Sequence, residues 1–176
     1  MGVIMGNMFR YYENAGYYFI TQNTLNNKKV LTTPTIRTAL RAAILETQKT
    51  LPFETHAFVL LPDHFHLILS IEDNQLSKRI GTIKRLTSKY SKFGQGDDLT
   101  DNYRRERRSS LWQARFWEQT IKTEKELHEN IMYCYVNPVH HGLVSKVGDW
   151  RFSTFHRDVK RGLIPPEWAG ISVDKK

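Results

Sequence analysis

His64-Phe65-His66 is the first place in the chain where residue types and spacing could do chemistry. On an extended strand successive side chains point to opposite faces, so both imidazoles project to one face while Phe65 points to the other. Paired imidazoles of this kind can capture a metal ion, and Phe65 would anchor the strand in a core. Two partly exposed histidines without a ligand would show the same spacing, so a further donor has to come from elsewhere. The single cysteine, Cys134, can form neither an internal disulfide nor a thiolate zinc site. A metal must therefore be held by His, Asn, Gln or carboxylates.

The segment from Glu124 to Asn137 offers the partner. Leu127, Ile131, Cys134 and Tyr135 recur at about 100° per residue and mark the buried stripe of a helix. Tyr133 falls outside that stripe, on the polar side with Glu126, Glu129, Asn130 and Asn137. Tyr133 and Asn137 are one turn apart, so a phenolic hydroxyl and an amide oxygen could face the same small volume. Helical phase thus assigns Tyr135 to structure and leaves Tyr133 free for chemistry, or as a surface tyrosine lying over the neighbouring turn.

The elements that must position these groups follow from periodicity and turn residues. Tyr17–Gln22 is rich in aromatic and β-branched residues and predicts a first strand. Thr33-Pro34 caps a helix carrying Ile36, Leu40, Ala43, Ile44 and Thr47, which ends before Pro52. Thr55–Leu61 and His64–Ile71 flank the turn pair Pro62-Asp63 and predict an antiparallel hairpin. A second helix covers Leu76–Phe93, a polar loop Gly94–Ser110, a strand Phe116–Ile121, and a third helix Glu124–Asn137 stopped by Pro138. The order strand, helix, two strands, helix, strand, helix suits an α+β ferredoxin-like domain: an antiparallel sheet with helices packed on one side. Residues 1–149 would form the catalytic domain and 150–176 a basic, aromatic C-terminal tail associated with it.

The 176 residues fit one domain, and the formal net charge of +8 favours a polyanionic partner. On the second helix Lys78, Arg85, Lys89 and Lys92 recur opposite a side marked by Leu76, Ile80, Ile83, Leu86 and Tyr90. The cationic stripe suits phosphate contacts, or a solvated face. Arg104, Arg105, Arg107 and Arg108 form a second cluster, able to clamp a polyanion or simply be solvated. Trp112, Phe116 and Trp117 flank Arg115 and offer stacking surfaces beside a bidentate donor, with Phe116 the expected core member. His140, His141 and His156 have no partner spacing and are left as surface or DNA-contact residues. No apolar run approaches the roughly 18 residues of a membrane span, and the N-terminus lacks a secretory pattern, so a cytoplasmic protein without membrane contact is expected.

Four separated segments carry a resemblance: Leu61-Pro62-Asp63-His64-Phe65-His66, Trp112–Glu118, Tyr133-Cys134-Tyr135-Val136-Asn137-Pro138-Val139 with Gly142-Leu143-Val144, and Trp150-Arg151-Phe152-Ser153-Thr154. Together, in this order, they resemble the REP-associated tyrosine transposases of the HUH superfamily of single-strand DNA nucleases. The resemblance implies a ferredoxin-like fold, with His64, His66 and Asn137 holding Mg²⁺ or Mn²⁺ and Tyr133 as nucleophile. It also implies a 5′-phosphotyrosine intermediate, and REP-type palindromic hairpins in single-stranded DNA as substrate for a monomeric enzyme. The alternatives are a non-catalytic binder of structured DNA or RNA, and a mobile-element HUH transposase acting on the ends of its own element.

Overall fold

The computed structural model describes residues 16–93 and 111–171. Strand β1 (Gly16–Asn23) pairs with both β3 (His64–Ile71) and β4 (Trp117–Ile121), and β3 pairs with β2 (Glu54–Leu60), all antiparallel. The resulting order β2-β3-β1-β4 places the histidine strand in the interior of the sheet. Leu61, Pro62 and Asp63 close the β2–β3 hairpin, with the Leu61 amide donating to the His64 carbonyl at 2.8 Å.

Alternation along the strands divides the sheet between two cores. Ile20, Leu60, Phe65, Leu67 and Leu69 face α1 (Pro34–Thr50) and α2 (Leu76–Ser91), which supply Ile36, Leu40, Leu76, Ile80 and Ile83. Tyr17, Phe19, Ala57, Val59 and Ile68 face the opposite way, toward Leu127, Ile131, Cys134 and Tyr135 of α3 (Glu124–His140). The expected antiparallel sheet with helices packed on one side is met by α1 and α2, and α3 adds a layer across the other face.

Pro138 does not stop α3, which runs on to His140. Proline fixes a φ that a helix tolerates, while it removes one donor and crowds the carbonyl four residues back. The turn beyond it is held by other bonds: His141 N–H to the Asn137 carbonyl at 3.0 Å, Gly142 N–H to Val139 at 2.9 Å and Leu143 N–H to Pro138 at 2.9 Å. The last two bonds with Gly142 at φ +66 make a Schellman cap, a conformation that favours glycine. The Gly142-Leu143 pair is therefore the C-terminal stop, and Pro138 and Val139 stay buried.

The segment after Trp150 closes the free edge of β2. Leu60 N–H donates to the Phe152 carbonyl at 2.8 Å and Thr154 N–H to the Phe58 carbonyl at 2.9 Å, while the Thr154 hydroxyl accepts from Phe58 N–H at 2.9 Å. Such cover removes an exposed sheet edge. The short helix α4 (Phe155–Lys160) then buries Phe155 and Asp158 against α3.

Candidate active site

Register puts the reactive residues side by side. Val59, His66, Thr21 and Trp117 are consecutive cross-strand partners along one row of the sheet, so their side chains share a face. Phe19, Asn23, His64 and Gln119 lie on the same face at the neighbouring positions. Tyr133 and Asn130 enter from α3 and Gln113 and Arg115 from the segment before β4, completing a cleft of about 630 Å³.

His66 is buried, and its Nδ1 is hydrogen-bonded to the Thr21 hydroxyl at 2.8 Å. Burial, reinforced by His64 and His141, pushes its pKa down to about 3 against a smaller opposing effect of Asn137. The ring is therefore neutral at physiological pH, the form that binds metals. His64 lies 4.9 Å from it between ring centroids, with Nδ1 on the Asp63 carboxylate at 2.7 Å. Tyr133 is half exposed and packs its ring on Phe19 at 5.8 Å and on His66 at 5.4 Å. The two tyrosines part as helical phase predicts, Tyr135 being buried and hydrogen-bonded to Asp158 and Thr154.

Asn137 differs from its expected place on the polar side of α3, being 1% exposed. Its Oδ1 and the Nε2 of His66 are both buried without a hydrogen-bond partner. Buried polar atoms left in that condition are costly, and a bound cation would satisfy both. Among the described residues no group of three His, Cys, Asp or Glu is gathered for a metal. Two imidazoles and an amide oxygen are donor types that would suit a divalent ion with positions left open for substrate oxygen.

The comparisons with known proteins agree with this geometry. Residues 13–137 match the family model for IS200-like transposases. A REP-associated tyrosine transposase of Escherichia coli K12 is 40% identical over 94% of this chain and 92% of its own length. A Haemophilus influenzae relative, assigned provisionally to the same group, is 37% identical over 94% of each chain. The chain belongs to the REP-associated tyrosine transposases. A solved structure of a REP-associated tyrosine transposase bound to a REP hairpin superposes with a TM-score of 0.74 at 37% identity, covering 97% of this chain and 95% of that one.

Within this tyrosine transposase the expected nucleic-acid residues separate. Arg115 and Trp117 are exposed and line the cleft. Trp112 is buried: its indole N–H donates to the Lys84 carbonyl at 3.2 Å and its ring packs edge-on against Phe65 at 5.7 Å. The core member of the aromatic trio is thus Trp112, which has no face left for a base, while Phe116 is only partly buried. Lys78, Arg85 and Lys89 are exposed on α2, Lys92 is exposed just past its end, and none of them lines the cleft; Tyr90 joins them on the exposed side instead of the buried one. Arg104, Arg105, Arg107 and Arg108 lie outside the described residues.

Other contributors escaped the linear pattern. His141 reaches back from the α3 cap to within 5.2 Å of the His64 ring. Lys84, among the basic residues of α2, is partly buried and donates to the Gln113 and Ala114 carbonyls at 2.7 and 2.9 Å, holding the segment that carries Arg115. Its pKa is lowered by burial. The one sequence signal for Lys84 was its position one residue beyond Ile83, toward the buried stripe rather than opposite it.

Proposed function

We propose that this chain cuts and rejoins single-stranded DNA at REP-type palindromic hairpins, with Tyr133 as the covalent nucleophile. The observation that carries the reading is the half-exposed Tyr133 ring packed 5.4 Å from the ring of the buried His66, whose Nε2 has no hydrogen-bond partner. His64, His66 and Asn137 would hold Mg²⁺ or Mn²⁺, imidazoles favouring the latter. A divalent ion there withdraws charge from a non-bridging phosphate oxygen and lowers the barrier to attack.

The chain's own residues account for the rest. The Tyr133 Oη attacks phosphorus, the Oη–P bond forms and the P–O3′ bond breaks. The phenolic proton is lost and the departing O3′ gains one, leaving a 5′-phosphotyrosine and a free 3′-hydroxyl. Attack by a 3′-hydroxyl reverses these changes and rejoins strands without ATP. Packing against Phe19 and His66 restricts the Tyr133 ring to the cleft mouth.

Arg115 and Trp117 would bind unpaired nucleotides in the cleft, and Lys78, Arg85, Lys89, Lys92 and the arginines 104, 105, 107 and 108 would contact phosphates further away. Residues 1–149 act as the catalytic domain and 150–176 as a tail associated with it, in a monomer working in the cytoplasm on the nucleoid. No helix among the described residues is long and apolar enough to cross a membrane.

Incubation of a labelled hairpin oligonucleotide with the protein and Mn²⁺ tests the reading. A denaturant-resistant adduct that disappears in Tyr133→Phe is the expected result. Tight binding with neither adduct nor cleavage would instead make the chain a non-catalytic binder.

A further inference from the structure

The two imidazoles of the cleft are held by chemically different partners. The Thr21 hydroxyl at His66 Nδ1 can donate or accept, so it accommodates either tautomer of that ring. The Asp63 carboxylate at His64 Nδ1 can only accept while ionised. It therefore requires the proton on Nδ1 and leaves Nε2 as the bare nitrogen of a neutral His64.

Asp63 is itself fixed. Its backbone carbonyl accepts from the Thr24 amide at 2.8 Å, and the Thr24 hydroxyl lies 2.9 Å from both the Asp63 and the Lys28 carbonyls, between which its single proton is shared. Thr24 directly follows β1, so the Pro62-Asp63 turn is tied to the strand that pairs with β3 through His64 and His66. The His64 side chain is 12% exposed and that of Asp63 27%, so the pair is shielded but Asp63 keeps access to water.

We propose that Asp63 is a positioning residue that sets the tautomer and orientation of His64 for metal capture. The proposal rests on the reading of His64, His66 and Asn137 as the metal-holding set. A carboxylate behind a ligating imidazole fixes ring and tautomer and raises the basicity of the opposite nitrogen, and losing such a partner typically lowers metal affinity about 10–100-fold. The negative charge of Asp63 is needed as well as its acceptor oxygen.

The test uses the full chain, with Mn²⁺ alone as probe. Mn²⁺ affinity is measured by electron paramagnetic resonance for the wild type, Asp63→Asn, Asp63→Ala and His66→Ala, and the metal-free histidine tautomers are read by ¹⁵N NMR. Wild-type His64 should carry its proton on Nδ1. Affinity should fall about 10–100-fold in Asp63→Ala and by less in Asp63→Asn, which keeps an acceptor oxygen without the charge. Unchanged metal-free NMR shifts away from the cleft establish that the variants are folded. If His66→Ala loses Mn²⁺ while Asp63→Ala binds within about twofold of wild type, far short of the loss expected when a partner behind a ligating imidazole is removed, the proposal for Asp63 is overturned and the ligand assignment stands. If His66→Ala binds Mn²⁺ as tightly as wild type, the ligand assignment fails and the proposal fails with it.

Discussion

The ring of Tyr133, carried by the helix α3, packs at 5.4 Å from the ring of His66, carried by the central strand β3, across 67 residues of chain. The contact brings a half-exposed phenol over a buried, neutral imidazole. It also separates Tyr133 from Tyr135, two residues on, whose hydroxyl is committed to Asp158 and Thr154.

Tyr133→Phe should abolish the covalent DNA adduct and leave stability within about 0.5 kcal/mol, because the lost hydroxyl belongs to a half-exposed ring. Tyr135→Phe should do the reverse. It removes a buried donor from Asp158, costs about 1–3 kcal/mol, and leaves cleavage by the folded fraction intact. Denaturant melts run beside adduct gels distinguish the two, and adduct formation by Tyr133→Phe would remove that residue as nucleophile.

Asn137→Leu exchanges a buried side chain whose Oδ1 has no hydrogen-bond partner for a hydrocarbon of similar volume. The metal-free protein should melt at the same temperature or higher, since an unsatisfied acceptor is lost. Mn²⁺ affinity should fall in the same variant. Calorimetric melting and Mn²⁺ titration provide the check, and a variant binding Mn²⁺ like the wild type would exclude Asn137 as a ligand.

The two tryptophans should part company. Trp112→Ala opens a hole beside Phe65 and should cost about 3–5 kcal/mol. Trp117 is 55% exposed, so Trp117→Ala should change stability little and weaken single-stranded DNA binding by about 1–3 kcal/mol if one base stacks there. Fluorescence anisotropy with an unpaired oligonucleotide reads the second effect, and undiminished binding would exclude Trp117 as a stacking platform.

Stability of the metal-free protein should fall in acid below about pH 6.5, where an unfolded histidine takes up a proton. The pKa of His66 is lowered to about 3, chiefly by burial. That of His56 is lowered by burial, with Glu54 opposing and Arg157 assisting, and its Nε2 is shared with the Ser70 hydroxyl at 2.9 Å. The unfolded chain thus binds more protons than the folded one in this window, and stability drains away as pH drops from 6.5 toward 3. Melting curves with a chelator between pH 8 and 5 should show the decline, with a shallower slope in His56→Gln. A melting temperature flat between pH 7 and 5 would contradict it.

Much of the scaffold was legible because local rules are strong there. Thr33-Pro34 begins α1, Pro62-Asp63 turns the hairpin, and alternation in His64–Ile71 puts both histidines on one face. Pro138 misled because the bond it removes and the crowding it brings are local costs, whereas the cap at Gly142 and the burial of Val139 are supplied by the folded chain. Trp112 and Trp117 look alike in a linear sequence, and only the packing of Phe65 and the Lys84 carbonyl against the first one distinguishes them.

By itself the sequence determined which residues can do chemistry, because side-chain type, strand alternation and helical phase are local properties. It put His64 with His66 and set Tyr133 apart from Tyr135. The tertiary structure decided what they meet. Sheet register aligned Thr21 with His66 and Trp117, the turn aimed Asp63 at His64, and the α3 cap brought His141 alongside. These are contacts between segments far apart in the chain, and their energies depend on burial and on which donors are left over once the backbone has paired, quantities that exist only in the folded molecule.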